Sequence, residues 1–211
     1  LKINSEVLVS PVNDSGPINC LIALNLKPIL IDSKKMSYNT DLNQIKKKIT
    51  QKTKAILLSH VAGNTAEIGK ISNYLKIKKI KIIEDCSQAP GARCFQCKPR
   101  CNICKNKYVG EFGNVSAFST MYRKSISSGG SGGIVFTKNK KIYRNILEYS
   151  DRGKKIWKNI NLNDPSLASK PALNHNTNEF SCAIATSSLE RLKMNIKKRN
   201  IILKKLILEL K

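Results

Sequence analysis

The residue types that can do chemistry gather in one stretch, Lys79 to Gly133. An apolar run, Lys79-Ile80-Lys81-Ile82-Ile83, ends on Glu84-Asp85 and continues as Cys86-Ser87-Gln88-Ala89. Ala117-Phe118-Ser119 leads to Lys124, and a glycine-rich run follows from Gly129 to Gly133. A carboxylate at a strand end, a hydroxyl, an amine and glycines that let backbone approach closely suit a phosphate-bearing aldehyde cofactor. Asp85 can pair with a pyridinium nitrogen, which makes the ring an electron sink. Lys124 can form the Schiff base, and Ser119 with nearby backbone N–H groups can hold a phosphate. The glycines are not a P-loop, because the Lys-Ser/Thr ending is absent.

A second constellation lies between these motifs. Cys94, Cys97, Cys101 and Cys104 read C-x2-C-x3-C-x2-C. Four thiolates in two x2 pairs have ligand-like spacing for a tetrahedral, structural Zn²⁺. The middle gap of three is shorter than in common zinc ribbons, so the loop must be tight. An iron–sulfur cluster is also open, as are reduced surface thiols or a local disulfide. Neighbouring lysines and Arg100 offset thiolate charge.

These residues need elements to position them. Strands are expected at Glu6 to Val9, Pro28 to Asp32, Lys54 to His60, Lys79 to Glu84, Val115 to Ser119 and Gly133 to Thr137. Helices are expected at Pro17 to Asn25, Asn39 to Ile49, Thr65 to Lys76 and Lys140 to Tyr149, by apolar recurrence at helical spacing. Thr65 is the expected cap of its helix. Lys154 to Lys170 reads as a loop, and Asn178 to Leu210 as lysine-rich helix with breaks. Strands alternating with helices imply an α/β fold with a mostly parallel sheet flanked by helices. Ligands of such sheets sit at the carboxyl ends of strands, where Asp85 lies.

Across 211 residues, 38 Lys and Arg face 14 Asp and Glu, a formal net charge of +24. Only seven of the basic residues are arginines, and the lysines spread along the whole chain beside Asn and Ile. There is no Arg-rich stripe and no interleaved aromatic platform, so the charge reads as compositional bias rather than a nucleic-acid face. Positive potential also suits an anionic substrate. Seven cysteines, four of them clustered, argue against a secreted disulfide framework. No apolar run can span a bilayer and no signal peptide is visible, so the expected setting is cytoplasmic. Leu1 at the start and a helical pattern still running at the end suggest a piece of a longer protein.

Three signatures in this order resemble the DegT/DnrJ/EryC1/StrS family of sugar aminotransferases, which use pyridoxal 5'-phosphate (PLP). They are Glu84-Asp85-Cys86-Ser87-Gln88-Ala89, Phe118-Ser119 followed by Lys124, and Gly129-Gly130-Ser131-Gly132-Gly133. The resemblance covers nearly the whole chain apart from the insertion at 93–107. It implies the large domain of a type I PLP-dependent transferase over 1–170, with 171–211 ending that domain and starting a helical C-terminal one. It implies that Lys124 is the catalytic lysine, and that Asp85, Gln88, Ser119 and Asn174 hold the cofactor. Gln88 would bond the phenolic oxygen. Asn174 would reach the phosphate of a partner subunit, which makes a homodimer the expected assembly. His60, at a strand end, reads as structural. After Val12 the family usually carries Thr and then a ring-stacking aromatic; Asn13 and Asp14 stand here instead.

The implied activity transfers an amino group, from glutamate, to a keto group of a nucleotide-linked sugar in amino-sugar and polysaccharide biosynthesis. One alternative is a PLP-dependent nucleotide-sugar dehydratase with a cysteine-bound cluster; those members replace the lysine by histidine. Another is a zinc-knuckle nucleic-acid binder, which leaves the spacing of Asp85, Gln88 and Lys124 unexplained. A third is an inactive relic.

Overall fold

The computed structural model describes residues 1–94, 104, 107–157, 161, 164, 167, 168 and 170–210. Six strands form one sheet in the order β2-β1-β3-β4-β5-β6. They are β1 (Glu6–Val9), β2 (Lys27–Leu30), β3 (Thr53–Ser59), β4 (Lys81–Asp85), β5 (Val115–Ser119) and β6 (Gly133–Phe136). All neighbours are parallel except β5 and β6.

The central strands carry near-continuous apolar runs because helices cover both of their faces. On one face, Leu8, Ile56, Leu58 and Ile82 pack with Ile45 of α2 (Leu42–Lys48) and with Ile68, Ile71 and Leu75 of α3 (Ile68–Ile77). On the other, Val7, Val9, Ala55 and Leu57 pack with Leu21 of α1 (Ser15–Ala23). The alternation of side chains along a strand divides these sets. It also decides that Glu84 shares the face of Ile82, while Asp85 shares that of Ile83.

Helix starts follow their capping residues. The side chains of Asp14 and Asp41 accept from Gly16 N and Gln44 N and so start α1 and α2. Asn139 caps α4 (Lys140–Ser150), and Asn178 caps α5 (Glu179–Glu190). Two helices lack such a bond, α3 and the C-terminal α6 (Leu192–Glu209). Thr65 is not the cap of α3: the helix begins at Ile68, and Glu67 precedes it without a side-chain capping bond. The turn at Val61–Gly63, with Ala62 at φ 54°, delays the helix. The C-terminal helical pattern divides at Arg191, between α5 and α6.

Four parallel strands, β1, β3, β4 and β5, end at the same edge of the sheet. The segments leaving them carry Asn13, Ser59, Asp85 and Ser119. No helix among the described residues is long and apolar enough to cross a membrane.

Candidate active site

A cavity of about 440 Å³ opens at this carboxyl edge. Asp85, Gln88, Ser119 and Lys124 all line it, together with Asn13 and Ser59. Four of the residues singled out in the sequence therefore meet in one place, although the insertion separates Asp85 from Lys124. Val12, Pro17 and Met121 add apolar wall.

Asp85 ends β4 half-buried, and its carboxylate is held on both oxygens. Oδ1 accepts from Ser87 N at 2.9 Å, and Oδ2 accepts from Ser59 Oγ at 3.4 Å. Ser59 Oγ also lies 3.2 Å from Asn13 Oδ1. Asn13 thus holds Ser59, and Asp14, which stands at the position of the family's ring-stacking aromatic, is spent on capping α1. Gln88 Oε1 accepts from Ala62 N at 2.7 Å, which leaves its Nε2 group as the donor.

Lys124 sits in a loop closed by hydrogen bonds. Ser128 N donates to Thr120 O at 2.7 Å, Thr120 N to Gly132 O at 2.9 Å, and Tyr122 N to Gly130 O at 2.9 Å. A Cβ on Gly132 would lie 2.6 Å from Thr120 Oγ1 and 2.7 Å from Ser128 Oγ. Gly129 takes φ 82°, the left-handed region that favours glycine. Gly129 and Gly132 are therefore packing requirements of the lysine loop. Outer contacts brace it: Ser127 N donates to Ser188 Oγ of α5, and Arg199 of α6 donates to Ser125 Oγ.

Glu84 and His60, the latter in the cavity lining, have fully buried side chains 3.2 Å apart. Neither was singled out for function in the sequence; an acid inside an apolar strand was the available signal. Cys86 follows them, and burial, with Glu84 and Asp85 nearby, pushes its thiol well above the ordinary range. It stays a neutral packing group. Asn174 is exposed and does not line the cavity; it forms a bridge with Asp151 instead.

In the insertion, Cys94 Sγ and Cys104 Sγ approach to 3.2 Å. An antiparallel bridge between Arg93 and Tyr108 brings the two ends together. Cys97 and Cys101 lie outside the described residues.

A mostly parallel sheet with an acid and a lysine meeting at its carboxyl edge defines the large domain of a type I PLP-dependent transferase. The family model of the DegT/DnrJ/EryC1/StrS aminotransferases matches residues 1–211, and the chain belongs to that family. It is 32% identical over 148 residues to GDP-perosamine synthase of Escherichia coli O157:H7, a match covering 70% of this chain and 38% of that protein. It is 31% identical over 146 residues to GDP-4-keto-6-deoxy-D-mannose 3-dehydratase of Yersinia pseudotuberculosis, covering 69% of this chain and 34% of that one. Among solved structures, an aminotransferase from Psychrobacter cryohalolentis superposes with a TM-score of 0.79 at 25% identity, over 90% of this chain and 46% of that chain. The chain thus spans half or less of the length of these relatives.

Proposed function

We propose that the whole protein is a PLP-dependent aminotransferase that moves an amino group, from glutamate, onto a keto group of a nucleotide-linked sugar. The observation that carries this reading is that Asp85 and Lys124 line one cavity. The donor set fits PLP: a carboxylate for the ring nitrogen, an amide N–H for the phenolic oxygen, a hydroxyl for the phosphate and an amine for the aldehyde. Two solved dehydratase relatives at 25% identity contain PLP, one as a trapped PLP-glutamate geminal diamine and one as hydrated PLP, which supports the cofactor rather than the choice of reaction.

When bound, PLP would supply an electron sink for charge developing at the substrate carbon. The chain's residues would do the rest. Asp85 would keep the ring nitrogen protonated, with its own orientation fixed by Ser87 N and Ser59 Oγ. Gln88, anchored through Oε1, would present Nε2 to the phenolic oxygen. Ser119 would donate to the phosphate. The amine of Lys124 would carry the proton between the substrate carbon that bears nitrogen and the cofactor's aldehyde carbon in each half-reaction.

Lysine at position 124 favours amino transfer over dehydration, because the dehydratase members of the family carry histidine at that position. Incubating the full-length protein with PLP, glutamate and a nucleotide-linked 4-keto sugar tests the reading. It predicts 2-oxoglutarate and an aminated sugar nucleotide in equal amounts. A deoxygenated keto sugar in place of the amino sugar would establish the dehydratase.

The assembly belongs to the same proposal. A homodimer would place exposed Asn174 near the partner's cofactor phosphate. Exposed apolar side chains, Phe180 and Ile184 on α5 and Ile134 and Phe136 on β6, offer surface for other parts of the protein or a second copy. The cytoplasm, where thiols stay reduced, is the matching compartment.

The insertion is proposed to hold a structural Zn²⁺. Cys94 and Cys104 are brought together at 3.2 Å, well beyond the roughly 2.05 Å of a disulfide. Cys97 and Cys101 enter by their C-x2-C spacing alone. Metal analysis of the purified full-length protein should find one zinc per chain, lost in Cys94→Ser. Absence of metal would leave a thiol pair only.

A further inference from the structure

Glu84 carries more contacts than any acid at the cavity needs. Its Oε1 accepts from Phe112 N and Gly113 N, and its Oε2 accepts from Gly110 N at 2.8 Å and faces His60 Nε2 at 3.2 Å. His60 Nδ1 accepts from Ala66 N, so the ring proton sits on Nε2 and is donated to Glu84. Four donors therefore converge on one buried carboxylate, about as many as its lone pairs can take. His60, Glu84 and Cys86 lie close enough to hold a metal ion. The four N–H donors, however, leave Glu84 no oxygen to offer a cation.

The loop around Glu84 is built for this contact. Gly110 has φ 94°, and a Cβ there would lie 2.7 Å from Phe118 Cζ. A Cβ on Gly113 would lie 2.9 Å from Ile82 O. His60 leads directly into the active-site wall. Its backbone N donates to Asp85 O. Ser59, just before it, donates to the Asp85 carboxylate, and Ala62, two residues on, donates to Gln88. One segment, 59–62, thus holds both side chains proposed to bond the cofactor ring.

We infer that Glu84 and His60 form a buried positioning pair, which fixes segment 59–62 and through it the placement of Asp85 and Gln88. Glu84 points away from the cavity and takes no part in bond making. This inference rests on the PLP reading above.

The test uses the full-length protein loaded with PLP, and reads the pH midpoint of the cofactor's visible band beside the thermal unfolding midpoint. Glu84→Gln must turn an NH₂ group toward two of the four donors. His60→Gln keeps a donor for Glu84, whereas His60→Asn keeps only the acceptor for Ala66 N. Glu84→Gln and His60→Asn are expected to move the band's midpoint by about one pH unit or more, the scale of one charge-assisted contact to the ring. His60→Gln is expected to stay near wild type. A folded Glu84→Gln with an unmoved band overturns the inference. Should Glu84→Gln fail to fold, the His60 variants decide: equal behaviour of the two also overturns it. A wild-type protein that shows no visible band with PLP removes the PLP reading itself, and this inference with it.

Discussion

Glu84 and Asp85 are consecutive in β4 and serve opposite faces of the sheet. Asp85 lines the cavity at the carboxyl edge. Glu84, fully buried, binds His60 and the loop at 110–113 on the other face. One residue faces the cavity while its neighbour ties buried backbone on the opposite face.

Asp85→Asn keeps the shape of the side chain but removes the charge opposite the ring nitrogen. Its turnover is expected to fall at least about a hundredfold, the size typical of losing one preorganised electrostatic partner. The unfolding midpoint should change little, because Asp85 is only half-buried. Steady-state kinetics and a melting curve check both halves.

Gly132→Ala introduces a Cβ 2.6 Å from Thr120 Oγ1 and 2.7 Å from Ser128 Oγ. Overpacking of this kind destabilises by about 1–3 kcal/mol. Because the clash falls on the bonds that close the Lys124 loop, PLP binding should weaken as well. Gly130→Ala, which meets nothing within 4 Å, is the control and should bind PLP as the wild type does.

Leu58→Ala removes a fully buried side chain from the core beneath α2 and α3. A loss of about 2–5 kcal/mol is expected from transfer and cavity terms together. Chemical denaturation measures it. PLP binding by the fraction still folded should be unchanged.

Glu67 gives the fold an acid-sensitive contact. Burial pushes its carboxyl up, but hydrogen bonds and charges from Lys34 and Lys70 outweigh burial and hold it below its ordinary value of 4.5. A carboxyl depressed in the folded state contributes stability above its unfolded value and loses it as pH falls through the folded one. Wild type should therefore exceed Lys34→Ala in stability at pH 7, and the gap should close as acidification below 4.5 carries Glu67 through its depressed folded-state value. Lys34 is exposed, so solvent screening keeps the gap at pH 7 small. Unfolding curves at the two pH values read it directly.

Much of this was legible in the sequence because the physics is local. Apolar runs such as Ala55 to Leu58 announced buried strands, and the acid after Ile83 marked a strand end. The spacing of Ser119, Lys124 and Gly129 announced the lysine loop. Other features were not legible, because they depend on contacts between distant segments. Thr65 looked like a cap, yet the turn at Val61–Gly63 moves the helix start to Ile68. Asn13 appeared only as a departure from the family's Thr; its bond to Ser59 spans 46 positions. Glu84 appeared only as the first residue of the Glu84-Asp85-Cys86-Ser87-Gln88-Ala89 signature, and its four donors come from two distant segments, His60 and the loop at 110–113.

The central claim is that Lys124 bonds a PLP molecule whose ring Asp85 steers. Absorbance of the full-length protein titrated with PLP, with Lys124→Ala alongside, tests it most directly. The account predicts a visible band in wild type that borohydride fixes as a covalent adduct on Lys124, that glutamate bleaches, and that Lys124→Ala lacks. The same band in both proteins, or an adduct mapped to another lysine, would contradict it.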